Sequence, residues 1–267
     1  MLPLFITAAL VVQWLPGARI SQKAEKLMTD RKPLALLIPG LDGTGLLYYR
    51  QIEALSPRHR VAAWRFQSRP EFDFSDLTQE LGRGTEEETP GSILVAGESF
   101  GGMVAMHYVL AYPERVRRLI LVNTFPYYRR RLRIQSARAL APLLHWGACR
   151  TIKSLIVDRI LRSEGIEAPD LIRYQQIVRE VDLPAYRCRL RLVQEADLRP
   201  RLHEIRVPTV ILASGRDKLV PAVREARFMA SCIRGAIVRE FPRAGHALLL
   251  TPGFSLADYS GEHILNC

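Results

Sequence analysis

The amino-acid sequence predicts an α/β fold in which a mainly parallel central sheet is flanked by helices. Three observations lead to this prediction: short runs of leucine and β-branched residues recur, stretches with apolar residues at helical spacing separate them, and glycine-rich loops follow two of the runs. Strands that alternate with helices imply right-handed crossovers between parallel strands. The 267 residues, 48% hydrophobic and 24% charged, are enough to bury a continuous core and exclude an intrinsically disordered chain.

Six runs of the sequence are predicted to be buried strands, since they are short and rich in leucine or β-branched residues. In chain order these runs are Leu34–Ile38, Val61–Phe66, Ile93–Ala96, Leu119–Val122, Val210–Ala213 and Ala236–Val238. Helices are predicted between them around Leu46–Ala54, Phe74–Leu81, Gly101–Ala111 and Pro221–Ala230. The alternation therefore predicts three layers, with helices on both faces of one sheet.

A long segment without a strand run, residues 126–201, interrupts this alternation. Apolar residues at helical spacing occur in its stretches Ala137–Leu144, Thr151–Leu161, Asp170–Val181 and Tyr186–Ala196. Because strands of the same sheet lie on both sides of the segment, we expect a helical cap, or lid, rather than a separate domain. The predicted domains are residues 34–125 and 202–267 as the core, 126–201 as the cap, and 1–33 as an apolar N-terminal segment with a polar linker.

Residues 1–18 carry no charged side chain, and three explanations of this apolar stretch stay open. A secretory signal would lack its basic start and a clear cleavage site. A full membrane span would be interrupted by Pro3, Gln13 and Pro16, which favours an interfacial anchor over a span. An apolar helix packed on the domain is the third explanation. The four cysteines stand far apart, which excludes a disulfide-dense scaffold and a CxxC metal knuckle and favours a reducing, cytoplasmic location.

The chain has 38 Lys and Arg against 27 Asp and Glu, a formal net charge of +11. Most of the excess lies in the predicted cap, which holds 16 basic and 8 acidic side chains. Zinc-finger, RNA-recognition and helix-turn-helix patterns are absent from the sequence, so no specific nucleic-acid partner is predicted. The arginine cluster within Arg129–Arg133 has two interpretations: solvated outer faces of helices, or a basic surface that makes peripheral contact with an anionic membrane together with the apolar N-terminal segment.

The third strand run leads directly into the motif GESFG at residues 97–101, and a stretch of helical character follows. A G-x-S-x-G motif in this context is typical of a nucleophile elbow, in which glycines permit a strained turn that exposes the serine hydroxyl. The motif alone can arise by chance in a chain with 17 glycines, whereas the flanking strand and helix make it specific. Ser99 is therefore the predicted nucleophile, and Gly97 and Gly101 are the predicted elbow glycines.

A serine at its ordinary pKa is a weak nucleophile and needs a histidine base that a carboxylate orients. Both residue types follow just beyond predicted strands, Asp217 in the loop SGRDK and His246 in the loop PRAGH. The other histidines lie in helical or polar surroundings, and His107 is predicted to be a packed helical residue. A solvated turn residue is the alternative for Asp217. The chain order Ser99, Asp217, His246 favours a catalytic triad.

Two backbone N–H groups are expected to stabilise the oxyanion that forms when the serine attacks a carbonyl group. One is predicted at Phe100, immediately after the nucleophile, and the other at Leu41, which follows Gly40 in the glycine-rich loop of residues 39–45. A phosphate cradle is the competing interpretation of this loop. The loop lacks the G-K-[ST] of a P-loop and the G-x-G-x-x-G spacing of a dinucleotide-binding fold, so the phosphate interpretation is weak.

With these motifs the chain resembles the α/β-hydrolase superfamily over about residues 34–250. The matching segments, in order, are LLIPGLDGTG, VAGESFGGMVA, YPERVRRLILVNT, VPTVILASGRDKLVP and PRAGHALLL. PGLDGTG and GESFGG also look like the corresponding segments of plant plastid esterases and acyltransferases that handle fatty acyl esters. Two departures stand out: residues 1–33 lack the usual initial β-hairpin, and residues 251–267 are a short polar tail where the superfamily has a closing helix.

The residues and the resemblance predict a serine carboxylic-ester hydrolase, esterase-like or lipase-like, that cleaves a small-molecule ester through an acyl-enzyme. No cofactor and no metal are implied, because nucleophile, base and oxyanion donors are all protein groups. Acyl transfer or thioester hydrolysis by the same triad is the nearest alternative, and a non-catalytic ligand-binding protein is the alternative of another class.

Apolar residues of the predicted cap are expected to roof the pocket and to favour short- to medium-chain or hydrophobic esters. They are Leu140, Leu143, Leu144, Trp146, Ile152, Leu155 and Ile156. Packing within the cap is the alternative role for these side chains.

Overall fold

The computed structural model describes residues 32–129, 135, 136, 151, 155 and 166–261. The described helices and strands all belong to the compact unit that begins at Pro33. The apolar N-terminal stretch and the predicted helix Ala137–Leu144 lie outside the described residues, as does most of Thr151–Leu161. The division of the chain into core and cap therefore stays a prediction.

The central sheet has six strands, all parallel, in the order β2-β1-β3-β4-β5-β6. They are β1 (Leu34–Ile38), β2 (Arg60–Ala63), β3 (Ile93–Glu98), β4 (Val116–Val122), β5 (Thr209–Ser214) and β6 (Ile237–Phe241). Every predicted strand run overlaps one of these strands, so the prediction of a parallel α/β sheet is confirmed. The second run was predicted to continue to Phe66, but β2 ends at Ala63; the Phe66 N–H then donates to the Gly43 carbonyl, 3.0 Å away, which bends the chain towards the loop after β1.

Six α-helices accompany the sheet in the described part of the chain. They are α1 (Tyr49–Leu55), α2 (Phe74–Gly84), α3 (Phe100–Ala111), α4 (Ala168–Glu180), α5 (Leu183–Glu195) and α6 (Ala222–Cys232). The start of α2 is fixed by a capping box, in which the Asp73 carboxylate accepts from the Asp76 N–H and the Asp76 carboxylate accepts from the Asp73 N–H. At the start of α5 the Asp182 carboxylate accepts from the Ala185 N–H. The starts of α2 and α5 are thus set by local side-chain acceptors.

The two faces of the sheet belong to separate apolar clusters, as the period of two along a strand requires. In β1, Leu36 packs with helices α2, α3 and α6, whereas its neighbour Leu37 packs on the opposite face with α1. The same alternation repeats in β3 and β4. The strands are therefore buried on both sides, which is typical of the middle layer of three.

The C-terminal segment covers the face of the sheet that contains Leu37. Leu248 and Leu256 are fully buried there, and the Phe254 and Tyr259 rings pack on Phe241. Two short 3-10 helices, Leu248–Leu250 and Leu256–Tyr259, lie in the described residues of this segment. The described part of the tail, residues 251–261, thus contributes apolar side chains to the core.

Helices α4 and α5 correspond to the third and fourth helices predicted for residues 126–201. Helix α4 is joined to α1 by the buried Asp170, which accepts hydrogen bonds from Tyr49 and forms an ion pair with Arg50 at 2.7 Å. Leu171 packs against Leu250 beside this ion pair. A buried carboxylate with both partners on one helix gives α4 a specific docking position.

Nothing in the described residues supports membrane contact, which is one of the two interpretations of the basic cluster. No helix among them is long and apolar enough to cross a membrane. Arg129, the first arginine of the basic cluster, pairs with the buried Glu225 at 2.6 Å and lies over the Phe228 ring. The charge of Arg129 is therefore paired with a carboxylate of α6 and does not contribute to a solvated basic surface. The arginines at 130, 131 and 133 lie outside the described residues.

Candidate active site

The predicted site residues all lie at or just beyond the carboxyl ends of parallel strands. The strand order reverses between β1 and β3, which are hydrogen-bonded neighbours although β2 lies between them in sequence. In open α/β sheets such a reversal opens a crevice at the carboxyl edge, where ligands bind. The loop of Pro39–Gly45, called the β1 loop below, and the turn containing Ser99 border this crevice.

Ser99 occupies a strained turn between β3 and α3. Its backbone has φ 55° and ψ −120°, outside the helical and extended regions that non-glycine residues prefer. Three hydrogen bonds hold this turn: the Ser99 N–H donates to the Val122 carbonyl, and the Ser99 carbonyl accepts from the Gly102 N–H and from the Thr124 hydroxyl. The geometry is that of a nucleophile elbow.

The elbow glycines are required by close main-chain packing. A Cβ on Gly97 would overlap the Gly101 carbonyl, and a Cβ on Gly101 would overlap the Ile38 carbonyl at the end of β1. Gly40 has more room, since its nearest neighbour would be the Glu98 carboxylate at 3.2 Å. At Gly97 and Gly101 a side chain is thus excluded because no space is left for a Cβ atom.

Asp217 and His246 are brought together across 29 residues of sequence. The Asp217 Oδ2 lies 2.7 Å from the His246 Nδ1, and its Oδ1 accepts from the N–H groups of Leu219 and Val220. The Asp217 side chain is 1% exposed and the His246 side chain 14% exposed. A carboxylate on Nδ1 favours the tautomer in which the proton is on Nδ1 and Nε2 is the basic nitrogen. Within the described residues no hydrogen bond joins the Ser99 hydroxyl to His246, a contact that often tightens only when substrate is bound.

Asn123, which the sequence analysis did not select, ties the β4, β5 and β6 loops to one another. The residue is 1% exposed and has φ 45°. Its amide donates to the main-chain carbonyl of His246 at 2.9 Å and to the Ser214 hydroxyl, and its oxygen accepts from the Ser214 N–H. The loop that carries the imidazole is therefore anchored by a buried side chain that directly follows β4, two strands away from β6 in the sheet.

The two predicted oxyanion donors have no acceptor within the described residues. The Leu41 N–H makes no hydrogen bond there. Phe100 is the first residue of α3, and the first N–H groups of a helix have no intrahelical partner. Leu41 and Phe100 follow the neighbouring strands β1 and β3, so both donors lie at the crevice.

Glu98 is a second residue that the sequence analysis did not assign. Its side chain is 8% exposed, and its Oε1 lies 4.0 Å from the His246 Nε2. Burial raises the pKa of Glu98 to about 7, the negative charges of Asp42 and Asp217 act in the same direction, and His246 opposes them. The site thus contains a carboxyl group that titrates near neutral pH beside the imidazole.

The other described histidines lie outside the site. His107 stacks on the Phe74 ring with 4.2 Å between ring centroids, and burial lowers its pKa to about 4, which confirms the predicted packed helical role. Burial also lowers the pKa of His59. His145 and His263 lie outside the described residues. The described part of the chain brings together no group of three His, Cys, Asp or Glu side chains that could hold a metal ion.

A cavity of about 540 Å³ lies where the loop after β2 meets the turn between α4 and α5. Arg65, Glu180 and Pro184 are among its lining residues, and Ser99, Asp217 and His246 are not. Leu155, one of the residues predicted to roof the pocket, is 64% exposed. The other predicted roof residues lie outside the described residues.

The doubly covered parallel sheet with a nucleophile turn after β3 defines an α/β hydrolase. The chain belongs to the family described as "Serine aminopeptidase, S33", which matches residues 71–252. A hydrolase from Oleispira antarctica has the same fold, with a TM-score of 0.74 at 12% identity over 88% of this chain and 91% of that chain. The predicted superfamily and fold class are confirmed.

The curated proteins that are similar in sequence include an esterase and an ester synthase. A pimeloyl-[acyl-carrier protein] methyl ester esterase of Chromobacterium violaceum is 27% identical over 182 residues, which cover 64% of this chain and 69% of that protein. The chloroplastic phytyl ester synthase 1 of Arabidopsis thaliana is 24% identical over 255 residues, which cover 84% of this chain and 36% of that protein.

Proposed function

We propose that the protein is a serine carboxylic-ester hydrolase that acts on short- to medium-chain or hydrophobic esters through an acyl-enzyme. The observation that carries the proposal is the Asp217–His246 hydrogen bond of 2.7 Å beside the strained Ser99 turn. Ser99 is the nucleophile, His246 the base and Asp217 the residue that orients the base. The N–H groups of Leu41 and Phe100 form the oxyanion hole.

Acylation begins when the Ser99 Oγ attacks the ester carbonyl carbon and His246 Nε2 takes the hydroxyl proton. Asp217 keeps the Nδ1 proton in place and stabilises the imidazolium that forms. The Leu41 and Phe100 N–H groups donate to the oxyanion, each worth about 2.7–4 kcal/mol of transition-state stabilisation. His246 then gives its proton to the leaving alkoxide, the C–O bond breaks, and the alcohol departs.

Deacylation reverses these roles with water as the nucleophile. His246 takes a proton from water as the hydroxyl attacks the acyl carbon, and the second tetrahedral oxyanion forms between the same two N–H groups. His246 returns the proton to Ser99 Oγ, and the carboxylic acid is released. Each step balances with groups of this chain and water alone.

We propose an ester rather than a peptide as the substrate, even though the family takes its name from an aminopeptidase. Both curated relatives described above are named for ester chemistry, one for a methyl ester and one for a phytyl ester. The elbow motif with an acidic residue before the serine also resembles that of plastid esterases. The same triad can cleave an amide, so ester and amide substrates must be compared directly.

The test is a panel of p-nitrophenyl esters from acetate to laurate, a thioester and an aminoacyl anilide, assayed with the wild type and Ser99→Ala. We expect ester turnover that varies with acyl length in the wild type and falls at least a thousandfold in Ser99→Ala, with the exposed Ser68→Ala as matched control. Equal turnover by wild type and Ser99→Ala would overturn the serine mechanism, and no turnover of any substrate by the wild type would favour a ligand-binding protein. Faster cleavage of the anilide than of every ester would overturn the substrate class.

Acyl transfer to an alcohol is the second candidate, and the similarity to an ester synthase is the observation that favours it. The acyl-enzyme would then be attacked by an alcohol oxygen rather than by water. Adding a long-chain alcohol to the ester assay and identifying the products separates the two activities. A new ester as the main product would assign acyl transfer, and free acid alone would assign hydrolysis.

A further inference from the structure

Arg189 is a buried cation that the proposed mechanism does not use. It lies on α5, within the predicted cap, and is 2% exposed. Its Nε donates to the Leu41 carbonyl at 2.9 Å, and its Nη2 donates to the Asp42 carbonyl at 3.2 Å. We propose that Arg189 is a positioning residue that fixes the β1 loop in the conformation that presents the Leu41 N–H to the oxyanion. This inference rests on the proposed function and adds a residue to it.

Within the β1 loop, one turn is closed by a main-chain hydrogen bond and two further carbonyls accept from Arg189. The Gly40 carbonyl accepts from the Gly43 N–H at 3.1 Å, which closes a tight turn within the loop. The Leu41 and Asp42 carbonyls, between these two glycines, have Arg189 as their donor. The two peptide groups that follow the Leu41 N–H therefore cannot rotate unless a bond to the guanidinium breaks.

The shape of the loop matches the guanidinium closely. Gly43 has φ +73°, and a Cβ built on it would lie 2.7 Å from the Arg189 guanidinium carbon. The Asp42 carboxylate is occupied within the loop, where it accepts from the Thr44 N–H and hydroxyl. Arg189 is thus held by two consecutive carbonyls, which its planar guanidinium meets with two different nitrogen atoms in a fixed geometry.

Burying the Arg189 guanidinium costs desolvation free energy. Packing alone would not need a charged side chain at this position. Burial is the largest influence on the pKa of Arg189 and lowers it, while the nearby Asp42 raises it. An apolar side chain would fill the same space without desolvating a charge. The neighbours of Arg189 on α5, Cys188 and Leu192, are apolar and buried in the core, so the helix already has an anchor without it. The two loop carbonyls are what the guanidinium adds.

Helix α5 consequently supports the proposed oxyanion hole, because it carries the arginine that holds the β1 loop. The Leu41–Arg189 bond spans 148 residues and links the loop after β1 to the predicted cap. Displacing α5 would leave two loop carbonyls without their donor and would free the Leu41 N–H to move. The oxyanion site is therefore complete only when α5 is docked.

The test compares Arg189→Met with Arg191→Met, which changes a neighbouring arginine of α5 that donates to the Phe72 carbonyl and pairs with Glu195. We measure kcat and KM for a p-nitrophenyl ester and the Ki of a trifluoromethyl ketone, whose adduct with the serine needs the oxyanion donors. In Arg189→Met we expect kcat to fall about a hundredfold with little change in KM, and the ketone to bind more weakly by a similar factor. Arg191→Met should stay near wild type in all three values.

A second pair of variants covers the case in which Arg189→Met does not fold. Arg189→Lys keeps the charge and can reach one carbonyl, so it should have an intermediate kcat, and added guanidinium ion should restore part of the activity of Arg189→Ala, whereas added sodium should not. A folded Arg189→Met with wild-type kcat, or a loss of kcat without weaker ketone binding, would overturn the positioning role. If Ser99→Ala were as active as wild type, the proposed function itself would fail, whatever the Arg189 variants do.

Discussion

The Ser99 turn and the Asp217–His246 pair are held in place by different kinds of contact. At Ser99 the constraint is volume, because a Cβ on Gly97 or Gly101 would overlap a main-chain carbonyl. At Asp217 the constraint is polar, because its carboxylate accepts from two N–H groups and from the imidazole. Ser99 is thus positioned by two glycines that must lack a Cβ atom. His246 is positioned by the Asp217 carboxylate, which is itself held by hydrogen bonds.

This difference predicts opposite sensitivities. An isosteric substitution that changes hydrogen bonding should harm the base and spare the fold, whereas a substitution that adds one carbon atom should harm the turn and with it the fold. Three substitutions test this contrast, in order of decreasing free-energy effect.

Asp217→Asn changes the polarity at the base without changing volume. The amide oxygen can still accept from the two loop N–H groups, so the fold should persist, but the amide no longer holds the imidazole in the tautomer in which Nε2 is the basic nitrogen. We expect kcat to fall about 10⁴-fold at an unchanged unfolding midpoint, measured by steady-state kinetics and circular dichroism. The exposed Asp258→Asn serves as control. A loss of less than tenfold would contradict the polar account of this pair.

Gly101→Ala adds volume at the turn. The new Cβ would overlap the Ile38 carbonyl, so either β1 or the start of α3 must move. We expect the free energy of unfolding to fall by roughly 3–5 kcal/mol, measured by urea denaturation. Gly235→Ala is the matched control, because Gly235 has φ 72° and open space around its Cβ position, and it should lose only about 1–2 kcal/mol from backbone strain. Equal losses in both variants would show that packing does not set the turn.

Glu98→Gln is an isosteric change next to the turn and should leave the turn intact. The raised pKa means that the folded protein binds more protons than the unfolded chain between pH 4.5 and about 7, so stability falls as pH rises through this window. Removing the charge should therefore stabilise the protein at pH 8 by about 2–3 kcal/mol relative to its effect at pH 5. The exposed Glu86→Gln should show no such difference. A Gln variant at position 98 with the pH slope of the wild type would exclude Glu98 as its source.

Local patterns were sufficient for the strands and the elbow. The six strand runs are contiguous in sequence, and Gly97, Ser99 and Gly101 act within one turn, so their spacing alone carries the information. Asp217 and His246 could be predicted because each follows a strand whose carboxyl end meets the same edge of the sheet. The contact between them is a consequence of topology.

The supporting residues could not be predicted because their partners are distant in sequence. Asn123 bonds to a carbonyl 123 residues away, and Arg189 to one 148 residues away. Glu98 occupies a position that the motif leaves free, and its shifted pKa arises from burial, which the motif does not encode. Leu256 lies in a tail that looked polar in the sequence. Its burial depends on contacts with distant residues, such as the hydrogen bond from its N–H to Gln51, 205 residues earlier. One sequence holds no local signal for any of these contacts.

The most direct test of the central claim is the position of the covalent acyl group. The wild type is mixed with p-nitrophenyl butyrate, quenched in acid within the first turnover and digested, and the peptides are weighed by mass spectrometry. The account predicts a butyryl group on the peptide that contains Ser99, at Ser99 itself, and none on the corresponding peptide of Ser99→Ala. Ester turnover with no acyl group on Ser99, or with the same labelled peptides in both proteins, would contradict it.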